Sequence, residues 1–254
     1  MSNAARFDVL GTGVSETDTA DALAIVERRL GDGGGGYVCF TNVHAVVTAI
    51  SDGAFRRVTN QSFLSLADGK PIYWLARVAG SQGVGHVPGP NFMLQALDRC
   101  RHRAHYFYGS SPQTLETLVA RLRQRSPGLD VRGTFSPPFR ALSEAESLDH
   151  YARICASGAE FVWVGLGAPK QELWMAAAAP HVAPALLFGV GAAFDFHSGV
   201  APRAPSWMRR SGLEWLFRLL SEPRRLWRRY LVTNSLFFWY AATKPFRRRN
   251  RPTA

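Results

Sequence analysis

The sequence predicts an α/β fold with a mostly parallel sheet, helices on both faces in a Rossmann-like arrangement, and a basic helical appendage at the C-terminus. Short apolar runs alternate with longer segments of helical spacing, which is typical of such sheets. The chain has 254 residues, of which 46% are hydrophobic and 19% charged, so it can bury a sizeable core. Residues 1–202 carry 17 basic and 17 acidic side chains, so the net charge of +11 comes entirely from residues 203–254.

The elements follow one another in a regular order along the chain. Seven apolar runs predict strands at residues 7–10, 37–40, 63–67, 104–108, 129–133, 161–165 and 185–190. Segments of helical spacing lie between them, at residues 16–30, 42–50, 71–78, 91–101, 112–125, 143–157 and 169–178. In parallel sheets ligands bind outside the carboxyl ends of the strands, so the residues just after each strand are the candidate site.

Several classes of protein are disfavoured by the composition. Cys39, Cys100 and Cys155 are widely spaced and fit a reducing compartment better than a disulfide scaffold or a structural zinc site. The N-terminus lacks the order of a signal peptide. The most apolar stretch, residues 231–243, is shorter than the roughly 20 residues that a membrane span needs. We therefore expect a cytoplasmic protein.

Polar residues follow the second and third predicted strands. Thr41, Asn42 and His44 come where a helix begins, so they either cap that helix or contact an anionic ligand. Asp68 follows the next strand and precedes Gly69, Lys70 and a proline at a helix start. It is either part of a capping turn or a general base that takes a proton from an attacking hydroxyl.

The most distinctive turn follows the strand at residues 161–165. Its glycines permit close approach of a ligand to the backbone, and its polar residues fall within one helical turn. These candidate binding residues are Gly165, Gly167, Pro169, Lys170, Gln171 and Glu172. The segment matches neither the dinucleotide fingerprint nor a Walker loop, so it is either a tight strand–helix turn or a cradle for a phosphate or base.

A further candidate site follows the last predicted strand. Gly191 permits close approach of a ligand, and Asp195 either binds sugar or ribose hydroxyls or holds a loop through backbone hydrogen bonds.

Taken together, these blocks resemble one family. The matching runs are ADGKP at residues 67–71, GPNFM at 89–93, VGLGAPKQELW at 164–174, GVGAAFD at 189–195, and RAP followed by GLEWLFR and EPRR between residues 203 and 225. The sequence resembles the WecG/TagA/CpsF family, glycosyltransferase family 26. The resemblance implies transfer, with inversion, of a sugar from a UDP-sugar, often UDP-N-acetylmannosamine, to a polyprenyl-diphosphate-linked sugar in polysaccharide biosynthesis.

The resemblance also implies roles for individual residues. Asp68 corresponds to the proposed base, Asn42 to a residue near the reacting sugar, and residues 165–172 to the nucleotide-binding segment. The family usually has a threonine where this chain has Phe40, with Thr41 adjacent. Many members carry Arg and Asp in the segment where this chain has His86 and Asn91, so the donor sugar can differ from the commonest one, for instance a hexose such as glucose.

We expect no metal ion and no other cofactor. The chain contains no Asp-x-Asp motif, and the resemblance points to the same conclusion. The charge of the leaving diphosphate would then be met by helix N-termini and cationic side chains.

The basic tail supplies candidate cations. Arg218, Arg225 and Arg228 would share one face of a continuous helix, although Pro223 is expected to interrupt that helix. The resemblance places these arginines on the diphosphate. Basic residues interspersed with aromatic ones are typical of an anionic membrane interface, to which the cluster of residues 244–249 would add.

We therefore predict a catalytic domain at residues 1–202 and a membrane-associating appendage at 203–254, peripheral on the inner face of the cell membrane. Two other interpretations remain open. One is an enzyme that modifies a soluble nucleotide sugar. The other is a nucleic-acid-binding protein, although the sequence contains no recognisable module for reading nucleic acid. The sequence also leaves a homo-oligomer possible.

Overall fold

The structure is a computed structural model that describes residues 4–243, apart from the side chains of Arg225 and Arg229. The predicted cluster at residues 244–249 lies outside the described residues. Six strands form a parallel sheet in the order β4-β3-β8-β7-β5-β6, with helices around it, which confirms the predicted fold class. These strands are β3 (Gly36–Thr41), β4 (Leu64–Ala67), β5 (His105–Gly109), β6 (Val131–Phe135), β7 (Phe161–Gly165) and β8 (Leu186–Gly189).

Two short strands near the N-terminus form a separate antiparallel pair, β1 (Arg6–Val9) with β2 (Thr12–Ser15). The sequence predicts the first of them but not the second, because the TGVS sequence of β2 has no apolar run. Strand β6 begins two residues later than predicted, since Leu129 and Asp130 lie in the loop before it.

Twelve helices are present in the described part of the chain. They are α1 (Thr19–Gly31), α2 (Val43–Ser51), α3 (Gly53–Gln61), α4 (Lys70–Val78), α5 (Gly89–Arg99), α6 (Pro112–Arg125), α7 (Glu144–Ala156), α8 (Lys170–Val182), α9 (Ala193–Ser198), α10 (Ser206–Arg210), α11 (Glu214–Ser221) and α12 (Pro223–Thr243). Helix α3 was not predicted, because only Phe55 and Thr59 of its nine residues are buried. Its start is set by Asp52, whose side chain caps two backbone N–H groups.

The described residues form two compact units. The first comprises residues 4–19, Phe40–Pro88 and the segment from Pro202 onward; the second comprises Ala20–Cys39 and Gly89–Ala201. In the second unit, the core includes Trp163 and Phe188, whose rings lie 4.7 Å apart on neighbouring strands. In the first, Ile72 and Ala76 of α4 share an apolar cluster with Phe237 of α12.

The C-terminal segment is helical, as predicted, and the helix is interrupted at the predicted place. Helix α11 ends at Ser221 and α12 begins at Pro223. None of the helices within residues 4–243 combines the length and the apolar character needed to cross a bilayer. The membrane role of this segment stays a prediction.

Candidate functional site

Thr41 and Asn42 lie at the carboxyl end of β3, in the first unit. Thr41 is buried, and its Oγ1 lies 2.7 Å from Oγ of Ser65 on β4. Asn42 is the N-cap of α2, where its side-chain oxygen accepts a hydrogen bond of 3.1 Å from the N–H of Ala45. The capping role that the sequence left open is therefore present, and the amide nitrogen is the donor that Asn42 offers. His44 is half-buried in the first turn of the same helix.

Asp68 follows β4 directly, and its main chain is held on both sides. Its N–H donates to the carbonyl of Thr41 at 2.9 Å, while its own carbonyl lies 3.0 Å from Nε2 of His86. Val87, which follows His86 in the chain, donates its N–H to the carbonyl of Ala67 at 2.7 Å. These three bonds fix the backbone on which a half-exposed carboxylate is carried.

The turn after Asp68 leads straight into a helix. Gly69 is the N-cap of α4, and a Cβ there would lie 3.5 Å from Cβ of Asn42. Pro71 occupies the first turn of α4, where its fixed φ suits the helix. The structure thus brings Thr41, Asn42 and Asp68 together at the ends of two strands of the first unit.

Asp68 contributes to the pKa shifts of two basic side chains, His86 and Arg203. Burial, followed by the positive charge of Lys70, lowers the pKa of His86 to about 4, although its hydrogen bond to Asp68 acts in the opposite direction. Burial also lowers the pKa of the Arg203 guanidinium, while the negative charges of Glu214 and Asp68 raise it. The Nε of Arg203 lies 3.9 Å from a carboxylate oxygen of Glu214.

Arg203 is a residue that sequence reasoning did not assign. It lies in the RAP run that carries the resemblance, but nothing in the local pattern indicates a partner among residues so far away in the chain. Only the folded first unit shows a half-buried arginine whose charge acts on Asp68.

In the second unit, the turn between β7 and α8 is built by close packing. Gly165 is the last residue of β7, and a Cβ there would lie 2.6 Å from the ring of Phe194. Gly167 has φ +77°, which glycine adopts without strain. Pro169 is the N-cap residue of α8, which begins at Lys170, whose side chain is exposed.

The Gln171 side chain joins this turn to the end of β8. Its oxygen accepts a hydrogen bond of 3.2 Å from the N–H of Gly167, and its nitrogen donates to the carbonyl of Gly189 at 2.8 Å and to the Glu172 carboxylate at 2.9 Å. Gln171 and Glu172 are both buried. Through its bonds to Gly167 and Gly189, the Gln171 amide therefore links two strand-end turns.

The remaining predicted residues of the second unit lie after β8 and at the start of α5. Gly191 has φ +51°, and a Cβ there would lie 3.3 Å from the Gln171 oxygen. Asp195 is half-buried in the first turn of α9, and its backbone carbonyl accepts a hydrogen bond from the N–H of Ala201. The role of its side chain stays a prediction. Asn91 is half-buried near the start of α5, next to Pro90, whose carbonyl lies 3.0 Å from Nε2 of His197 on α9.

The three predicted diphosphate-binding arginines lie on two helices. Arg218 is half-buried on α11, and Arg228 is exposed on α12. Arg225 is also on α12, with its side chain outside the description. Within residues 4–243 no three His, Cys, Asp or Glu side chains form a group that could hold a metal ion.

Comparison with known proteins agrees with the resemblance seen in the motifs. The model of the glycosyl transferase WecG/TagA/CpsF family matches residues 7–251. The chain is also 28% identical, over 83% of its own length and 82% of the relative's, to the N-acetylglucosaminyldiphosphoundecaprenol N-acetyl-beta-D-mannosaminyltransferase of Bacillus spizizenii.

Proposed function

Because the chain belongs to the WecG/TagA/CpsF glycosyltransferase family, we propose that it transfers a sugar, with inversion, from a UDP-sugar to a polyprenyl-diphosphate-linked sugar during surface or exopolysaccharide synthesis. The observation that carries the proposal is the half-exposed Asp68 carboxylate on a backbone that hydrogen bonds hold from both sides. The name of the Bacillus relative, which contains a diphosphoundecaprenol-linked sugar, supports the lipid-linked acceptor. The donor would carry an N-acetylmannosamine-type sugar or a hexose such as glucose.

The proposed chemistry is a single displacement. The Asp68 carboxylate takes the proton from a hydroxyl of the acceptor sugar, and the hydroxyl oxygen attacks the anomeric carbon of the donor. A new glycosidic bond forms while the bond to the β-phosphate breaks, and UDP leaves with that electron pair. Attack from the face opposite the leaving group inverts the anomeric configuration. Asn42 and Thr41, with His44 and Asn91, would position the sugars.

The negative charge that develops on UDP needs cationic or N–H partners. We assign this role to Arg218, Arg225 and Arg228. We assign the binding of the nucleotide to residues 165–172, together with Gly191 and Asp195. The hydrogen bonds of Gln171 support this, because they hold the glycine turn in one conformation before a ligand arrives. The site as proposed uses no metal ion.

We also propose that the protein is peripheral on the cytoplasmic face of the cell membrane. Helix α12 exposes large apolar side chains along much of its length, namely Trp227, Leu231, Val232, Phe238 and Trp239. It also carries Arg224 and Arg228, which are exposed. Aromatic and basic residues mixed in this way are typical of helices that lie at an anionic interface.

The test is transfer of label from a panel of UDP-sugars to a butanol-extractable polyprenyl-diphosphate acceptor. Asp68→Asn keeps the size of the side chain but removes the base, so turnover should fall by roughly 10²–10⁴-fold while affinity for UDP is retained. Asp32→Asn, on an exposed loop, is the matched control and should leave turnover unchanged. Near-normal turnover of Asp68→Asn would refute the assignment, and label that appears only in a water-soluble product would favour a soluble acceptor.

The arginine assignment is tested with the same assay. Loss of a charge-assisted hydrogen bond costs about 1.5–3 kcal/mol, so Arg218→Gln should lower kcat/KM by about one to two orders of magnitude. Arg57→Gln, an exposed arginine on α3 with no assigned role, serves as the control. Equal effects of the two substitutions would contradict a specific role for Arg218.

A further inference from the structure

Helix α4 is apolar on two opposite sides, only one of which is buried. Ile72 and Ala76 pack into the core cluster that contains Phe237. Trp74 and Val78 are four residues apart and so lie on one face, where they are 46% and 88% exposed. A helix at the surface of a soluble domain normally presents polar side chains outward, so this face indicates contact with something apolar.

The cations of α4 are placed beside the same face. The Nζ of Lys70 lies 5.4 Å from the centre of the Tyr73 ring, and the guanidinium of Arg77 lies 5.3 Å from it. A helix that mixes Trp, Tyr, Lys and Arg in its exposed turns is typical of the bilayer interface, where the rings lie at headgroup level and the cations meet lipid phosphates.

The exposed surface of α4 continues into the C-terminal segment of the same unit. A Cβ at Gly212 would lie 2.6 Å from Cη2 of Trp74, so the loop between α10 and α11 packs directly on the indole. Trp207 on α10 and Trp215 on α11 precede and follow that loop, and both are exposed. Residues 203–243, the described part of the C-terminal segment, carry eight basic and two acidic side chains, so this part of the first unit is complementary to an anionic partner.

We propose that the α4 face, defined by Lys70, Trp74, Arg77 and Val78, is a second lipid-docking surface that binds an anionic bilayer together with the C-terminal helices. The inference rests on the proposed function, because it specifies how the body of the enzyme meets the membrane. Trp74 lies about 6 Å along the helix axis from Lys70, which is two residues after Asp68. Docking through α4 therefore brings the proposed base close to the headgroup region, where a lipid-linked diphosphate is held.

The test places an environment-sensitive fluorophore at residue 78. Val78→Cys in a Cys155→Ser background leaves only the buried Cys39 and Cys100 as other thiols, so a nitrobenzoxadiazole label attaches at one site. On vesicles of equal parts phosphatidylglycerol and phosphatidylcholine, we expect a blue shift and a rise in emission. The control label at Phe139→Cys, an exposed apolar position on a loop of the second unit, should change little.

A second measurement uses substitution without a label. The double variant Trp74→Ser, Val78→Ser removes two exposed side chains and should sediment with these vesicles on the order of tenfold more weakly than the parent. Phe139→Ser should bind like the parent. Because the loop at Gly212 packs on the Trp74 ring, the double variant is compared at a temperature at which its unfolding curve shows it fully folded. The single variant Val78→Ser, at a position that is 88% exposed, should keep the unfolding midpoint of the parent and bind vesicles more weakly than Phe139→Ser.

The outcomes separate the surface from the enzymatic activity. Transfer to a short-chain, water-soluble acceptor is measured on the same proteins. If sugar transfer is normal but vesicles do not change the emission of the label at residue 78, the proposed docking surface is refuted and the proposed function is retained. If vesicles shift the emission of the label but no sugar is transferred, the docking surface is supported and the proposed function is refuted. A shift that grows with protein concentration in the absence of vesicles identifies a second copy of the chain as the occupant and also overturns the proposal.

Discussion

The hydrogen bond between His86 and the backbone of Asp68 leads to a pH-dependent prediction. Burial keeps the folded-state pKa of His86 at about 4, compared with 6.5 for an ordinary histidine. The perturbation is His86→Gln, because a glutamine amide can donate to the Asp68 carbonyl and does not titrate. We expect acidification to cost the parent protein more stability than it costs this variant.

The sign follows from proton counting. Between the two pKa values the unfolded chain binds a proton at this histidine and the folded chain does not, so the free energy of unfolding falls as the pH falls from 6.5 towards 4. For one group with these two values, the loss between about pH 7 and about pH 5 amounts to about 2 kcal/mol. The partial exposure of His86 makes this an upper bound.

The assay is urea unfolding of the parent and the variant at about pH 7 and about pH 5. For each protein the loss of unfolding free energy between the two pH values is measured, and the two losses are then compared. Burial lowers the pKa of His105 to about 4 as well, but His105 is present in both proteins and cancels. We expect the parent to lose up to about 2 kcal/mol more than the variant. Equal losses in the two proteins would refute the reasoning.

Two further substitutions test the packing that positions the site. Gly165→Ala would push a methyl group to 2.6 Å from the Phe194 ring, so it should destabilise the protein by about 1–3 kcal/mol in urea unfolding, whereas Gly31→Ala, with no atom within 4 Å, should not. Phe237→Ala should cost about 3–5 kcal/mol, because Phe237 is 1% exposed in the core cluster, and its neighbour Phe238, 62% exposed, should tolerate the same change. Similar costs for the two phenylalanines would show that α12 does not pack as described.

Local patterns predicted most of the elements and their order. The apolar run before Asp68, and Gly69 and Pro71 after it, predicted both the strand and the helix between which the candidate base lies. Elements whose apolar content is low escaped prediction: β2 has Val14 as its one large apolar residue, and α3 has two buried residues. In both cases the stabilising contacts come from other segments, which no periodicity records.

Some features of the candidate site could be predicted from the sequence and others could not. Its residue types and their position after the strands were readable from the sequence, and so was the helix break at Pro223. The sequence did not show that the Gln171 amide joins the turns at Gly167 and Gly189, or that the charges of Arg203 and Asp68 interact. The Gln171 contacts depend on β7 and β8 being neighbours in the sheet, and the Arg203 interaction depends on the fold of the first unit.

By itself, the sequence determined an alternating α/β chain, the residues that follow its strands, and the concentration of positive charge after residue 202. Only the tertiary structure decided that His86 holds the Asp68 turn from 18 residues away and that Phe237 of α12 is buried with Ile72 of α4. The physical reason is the range of the interactions. Helix periodicity and capping act over about four residues, whereas burial, pKa shifts and strand pairing depend on segments that folding brings together from distant parts of the chain.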